Sequence, residues 1–201
     1  LVSTGTLQLD ALMGGGLARG TNTLLSGPSG VGKTTTAVRC VLSALLRGER
    51  VAYYLFDEGM PTLVARSKAL GMDIQPFLDS GQLQMRAIDP AELSPGEFAF
   101  HVRKAVEKAA ARTVVIDSLN AYLQAMPGQK FLLLQMHELL TYLNQQGVVT
   151  LLILGQHGFI GEVRSDLDLS YLSDSILLFR FFEAAGAVRT AVSVVKSRTS
   201  E

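Results

Sequence analysis

The sequence has very little cysteine, no excess charge of either sign and no long apolar run. Its single cysteine, Cys40, cannot form an internal disulfide, which favours a cytoplasmic protein. The charges of its 18 basic and 18 acidic residues cancel, which argues against nucleic-acid binding through a general electrostatic attraction. The longest apolar run, 148–154, is interrupted only by Thr150 and is far too short to span a bilayer, and no signal peptide is apparent. We therefore expect no membrane association.

Histidine and cysteine are too few and too scattered for several kinds of catalytic site. His101, His137 and His157 show no metal-ligand spacing with one another or with Cys40. Neither a Ser/His/Asp set nor a paired-cysteine motif is apparent. We therefore expect the histidines at the surface or in capping positions, and Cys40 as a small buried apolar residue.

The length and composition are sufficient for one sizeable domain with its own core. Apolar residues make up 48% of the 201 residues, which disfavours disorder over any long stretch. No internal repeat or low-complexity linker divides the chain, so we expect residues 1–201 to form a single domain. Because the chain starts with Leu1 rather than Met and ends in a polar segment, we expect that domain to belong to a longer protein.

The most informative segment, 27–34, reads GPSGVGKT and fits the phosphate-binding pattern GxxxxGK(S/T). Glycines in such a loop let successive backbone N–H groups turn towards the oxygens of a nucleoside triphosphate. Lys33 would add positive charge at the β- and γ-phosphates, Thr34 would ligate Mg²⁺, and the following helix N-terminus would favour the anion. The predicted nucleotide-binding residues of this loop are Ser29, Gly30, Val31, Gly32, Lys33, Thr34 and Thr35.

Short β-branched runs alternate with helix-like segments along the rest of the chain, which is typical of a mostly parallel sheet with helices on both faces. We therefore predict an α/β fold with such a sheet and a C-terminal antiparallel hairpin. The predicted strands are 23–26, 51–56, 83–88, 113–116, 148–154, 176–182 and 187–195, the last two joined by a turn at 183–186. The predicted helices are 35–46, 62–70, 95–111 and 131–146. Right-handed crossovers would place the loops after the strands along one ligand-binding edge.

Asp117 follows an apolar strand, 113–116, and has the form of a Walker B acid. We predict that it holds the Mg²⁺ shell, through water, opposite Thr34. Aspartate at this position could instead cap the next helix or turn. The P-loop elsewhere in the chain is what favours the Walker B interpretation.

Three more polar residues end predicted strands at this edge. Asp57 and Glu58 should lie near the γ-phosphate, where a carboxylate can orient the attacking water and accept its proton. Adjacent side chains diverge at a strand end, so one acid is expected to act as the base while the other meets solvent or a neighbour. Gln156 is either a sensor of the γ-phosphate or simply a polar strand terminus.

A set of motifs in a fixed order extends over nearly the whole chain. The set comprises Ser3-Thr4-Gly5, Leu9-Asp10, Leu12, Gly14-Gly15-Gly16-Leu17, Gly20, the P-loop, Phe56-Asp57-Glu58, Asp117-Ser118, Asp174-Ser175-Ile176-Leu177-Leu178 and Lys196-Ser197-Arg198. In this order the motifs resemble those of the RecA superfamily and, within it, of the KaiC-like ATPases of the bacterial clock family. The resemblance implies a RecA-like P-loop fold.

The resemblance also implies a ring, usually a hexamer, with ATP bound between neighbouring subunits and with signalling proteins as partners. The residues that would act on the nucleotide of their own subunit are Lys33, Thr34, Asp57, Glu58 and Asp117. Lys196 and Arg198 would reach the γ-phosphate held by the adjacent subunit and supply charge to the transition state. The implied function is Mg²⁺-dependent ATP hydrolysis in signalling or timing.

The chain departs from the KaiC-like pattern in three respects. The first of the family's paired acids is typically glutamate, whereas Asp57 is one methylene shorter, which predicts a shorter reach and slow hydrolysis. Thr199 follows the KxR element, where the family tends to have glycine. Members of the family typically carry two such domains, whereas this chain holds one.

Two alternatives keep the nucleotide site but change its use. An assembly switch that binds ATP and hardly turns it over is consistent with the short acid at Asp57. Autophosphorylation is the other alternative, because Ser165, Ser170 and Ser173 lie shortly before the penultimate predicted strand. Ordinary loop serines would look the same in sequence.

A RecA-type DNA-handling protein is disfavoured by the charge of its expected loops. The first loop, 120–130, carries one positive charge. The second, 158–170, contains Arg164 but also Glu162, Asp166 and Asp168, and an acidic loop is a poor partner for phosphates. Nucleic acid is therefore not expected among the partners.

Overall fold

The computed structural model describes residues 1–124, 129–156 and 170–197. Seven strands in these ranges form one sheet, namely β1 (Asn22–Pro28), β2 (Arg50–Leu55), β3 (Leu83–Ala87), β4 (Ala111–Asp117), β5 (Val149–Gln156), β6 (Ser175–Ala184) and β7 (Ala187–Ser197). Their order across the sheet is β3-β2-β4-β5-β1-β6-β7. Every neighbouring pair is parallel except β6 and β7. The predicted fold class is thereby confirmed.

The helices are α1 (Leu7–Leu12), α2 (Lys33–Leu46), α3 (Met60–Ala69), α4 (Gln75–Asp79), α5 (Pro95–Glu107), α6 (Leu119–Gln124) and α7 (Gln129–Gln145), followed by a 3₁₀ turn at Ser170–Leu172. The sequence patterns predict α2, α3, α5 and α7 but miss α1, α4 and α6. Those three have only five or six residues, too few for a helical period to repeat. None of the helices in the described ranges has the length and apolar character needed to cross a membrane.

Two predicted boundaries are wrong for local reasons. The helix predicted to reach 111 ends at Glu107, and Ala110, with φ at 55°, turns the chain so that β4 starts at Ala111. The hairpin turn predicted at 183–186 is shorter, because β6 runs to Ala184 and β7 begins at Ala187. The two turn residues have φ values of 54° and 71°, as tight turns that follow the strand twist require.

Both faces of the sheet are covered, as the continuous apolar strands predict. Leu25 and Tyr53 lie in one buried cluster with side chains of α2 and α3. Their neighbours Leu24 and Tyr54 point to the other face and lie in a second cluster with α5, α6 and α7. Cys40 is buried in the first cluster, as expected, and burial raises its pKa to about 12.

The register of the parallel strands brings their carboxyl ends together. Leu55 pairs with Asp117, Asp117 pairs with Ile153, and Gly27 pairs with Gly155. The segments that follow β1, β2, β4 and β5 therefore meet at one edge of the sheet, which is where α/β folds bind ligands.

Candidate functional site

The loop between β1 and α2 adopts a conformation that needs glycine at two positions. Gly30 and Gly32 have φ values of 76° and 103°, in the left-handed region that other residues rarely adopt. No described heavy atom lies within 4 Å of the place where a Cβ would stand on either residue, so the loop backbone faces open space. Gly32 directly precedes α2, whose first N–H groups have no partners within the helix. Val31 points the other way and is buried in the core.

The Lys33 side chain is held by the loop itself. Its Nζ donates to the carbonyl oxygens of Gly27 at 2.7 Å and Pro28 at 2.6 Å. Burial lowers the pKa of Lys33, and the negative charge of Asp117 opposes that shift. The ammonium is thus fixed at the mouth of the loop before any ligand arrives.

Asp117 lies at the end of β4, almost fully buried, and its Oδ2 accepts two hydrogen bonds. The donors are Thr34 Oγ1 at 3.0 Å and the Tyr53 hydroxyl at 2.9 Å. Burial raises the pKa of Asp117, whereas the two hydrogen bonds favour the carboxylate and work against that shift. Burial beside this carboxylate also raises the pKa of Tyr53 well above its ordinary value, so its hydroxyl stays a donor.

The two acids after β2 diverge towards different partners. Asp57 accepts a hydrogen bond from Ser118 Oγ. Ser118 directly follows Asp117, and a cis peptide bond joins these two residues. Glu58 forms two parallel hydrogen bonds with Arg66, from Nη1 to Oε1 at 2.7 Å and from Nη2 to Oε2 at 2.8 Å. Both oxygens of Glu58 are therefore engaged with one guanidinium.

One cavity of about 370 Å³ unites most of these groups. The predicted residues that line it are Ser29, Gly30, Gly32, Lys33, Thr34, Thr35, Asp57, Glu58 and Asp117. Four lining residues that sequence reasoning missed are Arg66, Ser118, Ile153 and Gly155. Nothing in the local sequence marks Arg66, which lies about two turns along α3 and meets Glu58 only in the folded structure.

Asn120, on α6, links that helix to the cavity wall through two hydrogen bonds. Its Nδ2 donates to the carbonyl oxygen of Gly155 at 2.9 Å, and its Oδ1 accepts from the N–H of Gly155 at 2.6 Å. Gly155 lines the cavity, and Asn120 therefore fixes the position of the β5 end beside the P-loop.

Two predicted site residues lie elsewhere, and a third is outside the described residues. Gln156 ends β5 opposite Pro28 and is not among the residues that line the cavity. Lys196, on β7, donates from Nζ to the carbonyl oxygen of Ser173 at 2.6 Å and does not line the cavity either. Arg198 lies outside the described residues.

The segments proposed for the alternative functions are described only in part. Ser173 is 1% exposed, which leaves its hydroxyl little access to a phosphoryl donor. Ser165 and most of the acidic segment 158–170 lie outside the described residues. The other expected DNA loop, 120–130, is wrong as a loop in its first part, because residues 120–124 belong to α6.

Thr34 and Asp117 fit the coordination preferences of Mg²⁺. This ion prefers oxygen ligands and is held next to nucleotides by only one or two protein groups, the phosphates and water supplying the rest. A hydroxyl and a buried carboxylate meet here at 3.0 Å within the cavity. No group of three or more His, Cys, Asp or Glu residues that could hold a metal by itself occurs in the described ranges. The site is thus suited to a metal that arrives with its nucleotide.

Comparison with known proteins agrees with this geometry. A family model described as "ATPase: KaiC" matches residues 2–201. The chain is 29% identical over 98% of its length to circadian clock protein KaiC2 of Synechocystis sp., and 24% identical over 99% to circadian clock oscillator protein KaiC of Synechococcus elongatus. It spans 35% and 38% of the lengths of these two relatives. The resemblance found in the sequence motifs is confirmed, and the chain belongs to the KaiC ATPase family.

Proposed function

We propose that this chain binds ATP with Mg²⁺ and hydrolyses it, in a homo-oligomeric ring whose sites are completed between subunits. The supporting observation is that a phosphate-binding loop, Lys33, the Thr34–Asp117 pair and two further acids share one cavity of about 370 Å³. Phosphoryl transfer to water requires this set of groups. Relatives named as circadian clock proteins favour a role in timing or signalling. We further propose that the protein acts in the cytoplasm with protein partners.

The phosphates would bind where the loop backbone is open. The N–H groups around Gly30 and Gly32 and the first turn of α2 provide donors for anionic oxygens. Lys33 Nζ has more donors than the two loop carbonyls use, so it can bind a phosphate oxygen without leaving its position. The triphosphate thus completes a donor set that is largely preformed.

Thr34 and Asp117 would hold Mg²⁺, directly or through water. The chemistry supplied by such an ion would be positive charge that offsets the negative charge of the phosphates. The Tyr53 hydroxyl favours the carboxylate form of Asp117 and orients it for this task, because it donates to the same Oδ2 that accepts from Thr34.

Asp57 is the better candidate for the base that activates water. Both oxygens of Glu58 are bound by Arg66, so Glu58 would have to break one of these hydrogen bonds before it could accept a proton from water. Among the described residues, Asp57 forms no ion pair and accepts one hydrogen bond, from Ser118. We therefore assign water activation to Asp57 and local charge balance to the Glu58–Arg66 pair.

Lys196 and Arg198 would act on the neighbouring subunit's nucleotide. Support comes from the family resemblance of the KxR element and from the position of Lys196 away from the cavity of its own subunit. A site shared in this way has activity only in the assembled state, and a hexamer is the arrangement we propose.

Two measurements test this function. Phosphate release from Mg-ATP, measured per subunit over a wide range of protein concentration, should rise and then saturate as rings form. Lys33→Met and Lys196→Met, each inactive alone, should regain part of the activity when mixed, because mixed rings contain intact composite sites. Release that is flat with concentration, together with no recovery on mixing, would contradict a shared site.

A switch with little turnover is the second candidate, favoured by the engagement of both acids. Asp57 accepts a hydrogen bond from Ser118 and Glu58 pairs with Arg66, so only one oxygen of Asp57 is left to activate water. Tight binding of Mg-ATP and ATP-dependent assembly, without release of phosphate at any concentration, would identify this function instead.

A further inference from the structure

We propose that a groove along the edge strand β3 binds an extended acidic segment of a different protein, which adds to the sheet as a further strand. The groove lies away from the nucleotide cavity and shares none of its lining residues. The inference therefore concerns a second function, independent of the catalytic proposal.

The main chain of β3 is available on its outer side. The strand ends the sheet and pairs only with β2. Gln82 O accepts from Val51 N at 3.0 Å and Ile88 N donates to Leu55 O at 2.7 Å, so the even-numbered positions face β2. Main-chain groups alternate in direction along a strand, which turns those of Leu83 and Met85 away from β2. In the described ranges no other strand covers them, and such an edge is a template for an added strand.

A cavity of about 1140 Å³ opens along this edge, with a helix wall on each face of the sheet. One wall, from α3 and α4, is apolar where Val64 and Leu78 line the cavity, and both pack, as Met85 does, against the same buried cluster. The other wall is formed by α5 and includes Lys104 and Lys108. The space is elongated by its position beside a strand and is larger than the range of about 300–1,000 Å³ typical of small-molecule sites.

Positive charge is concentrated on the α5 side of the groove. Arg86 of β3 points to that side, since its Nη1 lies 2.9 Å from Nδ1 of His101 on α5. Arg50, Arg86, Lys104 and Lys108 line the cavity, and none forms an ion pair with a described carboxylate. The only acidic lining residue, Asp79, lies on the opposite wall and accepts a hydrogen bond from Gln75. The chain as a whole has zero net charge, so this local excess of positive charge favours a negatively charged partner.

The two walls define the pattern of the bound segment. Side chains of an added strand point alternately to the two faces of the sheet. Those on the α5 side would meet cations and those on the other side would meet Val64 and Leu78, so alternating acidic and apolar residues fit best. Two copies of this chain joined antiparallel through β3 would place their α5 walls side by side, and repulsion between the like charges disfavours that pairing.

The test uses the full chain and a short labelled peptide of alternating Glu and Val. Controls are a Lys/Val peptide of the same pattern and a Glu/Val peptide with the two residue types in separate blocks. The alternating Glu/Val peptide should bind, should bind more weakly at high salt, and should slow amide hydrogen exchange at Leu83, Met85 and Ala87. The control peptides should bind at least about tenfold more weakly, the loss expected for a missing or reversed charge pair.

Charge-reversal variants decide between specific and incidental binding. Arg86→Glu and Lys104→Glu should each weaken the Glu/Val peptide by about tenfold or more and should improve binding of the Lys/Val peptide. Phosphate release should stay unchanged in both, which also shows that the variants fold. Absence of binding, or binding without protection of β3, would overturn the proposal and leave the cations as a solvated edge. Self-association of the parent chain that slows amide hydrogen exchange at Leu83, Met85 and Ala87 would also overturn it, because a second copy would then be the occupant.

Discussion

Arg66 grips both carboxylate oxygens of Glu58, with N–O distances of 2.7 and 2.8 Å, at the rim of the nucleotide cavity. The side chains are 45% and 23% exposed, so the pair contributes little to stability, of the order of 1 kcal/mol or less. Its importance is local, because it neutralises one of the three acids that line the cavity where we propose that the phosphates bind.

Replacing Arg66 should therefore affect binding more than folding. Arg66→Ala leaves Glu58 unneutralised beside an anionic substrate, and we expect about three- to tenfold weaker binding of Mg-ATP. Arg66→Lys should retain only part of the affinity, because an ammonium keeps the positive charge but cannot make both hydrogen bonds to Glu58 in the same plane. The Arg66→Ala/Glu58→Gln double variant should recover most of the lost Mg-ATP affinity. Calorimetric titration with Mg-ATP measures the affinity of each variant. No recovery would mean that Arg66 contacts the nucleotide itself.

The two acids after β2 should differ in their kinetic effects. Asp57→Asn should lower phosphate release by about 10²–10⁴-fold while Mg-ATP binding persists, because a general base contributes that much. Glu58→Gln should have a smaller effect. Single-turnover measurements with saturating protein separate the chemical step from assembly, and the reverse ranking would transfer the role of base to Glu58.

Lys33 should be required for nucleotide binding. Lys33→Met removes the ammonium that Gly27 and Pro28 hold at the loop, and we expect at least about tenfold weaker binding of Mg-ATP. Lys68→Met is a matched control, since Lys68 is exposed on α3 and pairs with Asp73 at 3.4 Å. Fluorescence of a labelled ATP analogue measures both, and equal effects of the two changes would remove the special role of Lys33.

The adjacent tyrosines Tyr53 and Tyr54 offer a comparison across the two faces of the sheet. Tyr53→Phe removes a hydrogen bond to the buried Asp117 carboxylate and should cost about 1.5–3 kcal/mol of unfolding free energy, together with Mg-ATP affinity. Tyr54→Phe removes a 3.3 Å bond to the carbonyl oxygen of His101 and should cost about 1 kcal/mol or less, with affinity unchanged. Urea unfolding and calorimetry check the pair, and equal losses of affinity would contradict the role assigned to Tyr53.

Glu49 should make stability depend on acid pH. Burial raises its pKa, but hydrogen bonds from Arg47 and Arg19 outweigh this and lower the pKa below the ordinary 4.5. A lowered pKa means that Glu49 stabilises the fold above pH 4.5 and that this contribution is lost as pH falls through the folded-state pKa.

The corresponding variant is Glu49→Gln, which should be about 1 kcal/mol less stable than the parent chain at pH 7. The difference should shrink in urea unfolding at pH 4 and below. Glu92→Gln is the control, because Glu92 forms no ion pair within the described residues. A deficit that does not change with pH would show that packing, not charge, is the cause.

The sequence predicts those parts of the site that are local in the chain. The P-loop, Asp117 after its apolar strand, and the acids after β2 all carry their own patterns, and the long helices repeat a clear period. Arg66, Ser118 and Gly155 could not be assigned in the same way, because their contacts depend on how α3, β4 and β5 meet in space. Lys196 shows the opposite case, since its motif is visible in the sequence, whereas the neighbouring subunit on which we propose that it acts lies outside the geometry of one chain.

The two hydrogen bonds between Asn120 and Gly155 link α6 mechanically to the wall of the nucleotide cavity. An amide that holds both the N–H and the carbonyl of one residue leaves that residue no freedom to slide or rotate independently. A tilt of α6 must carry the end of β5 with it. Helix α6 is therefore a route by which a contact made outside the cavity changes the shape of the space beside the P-loop.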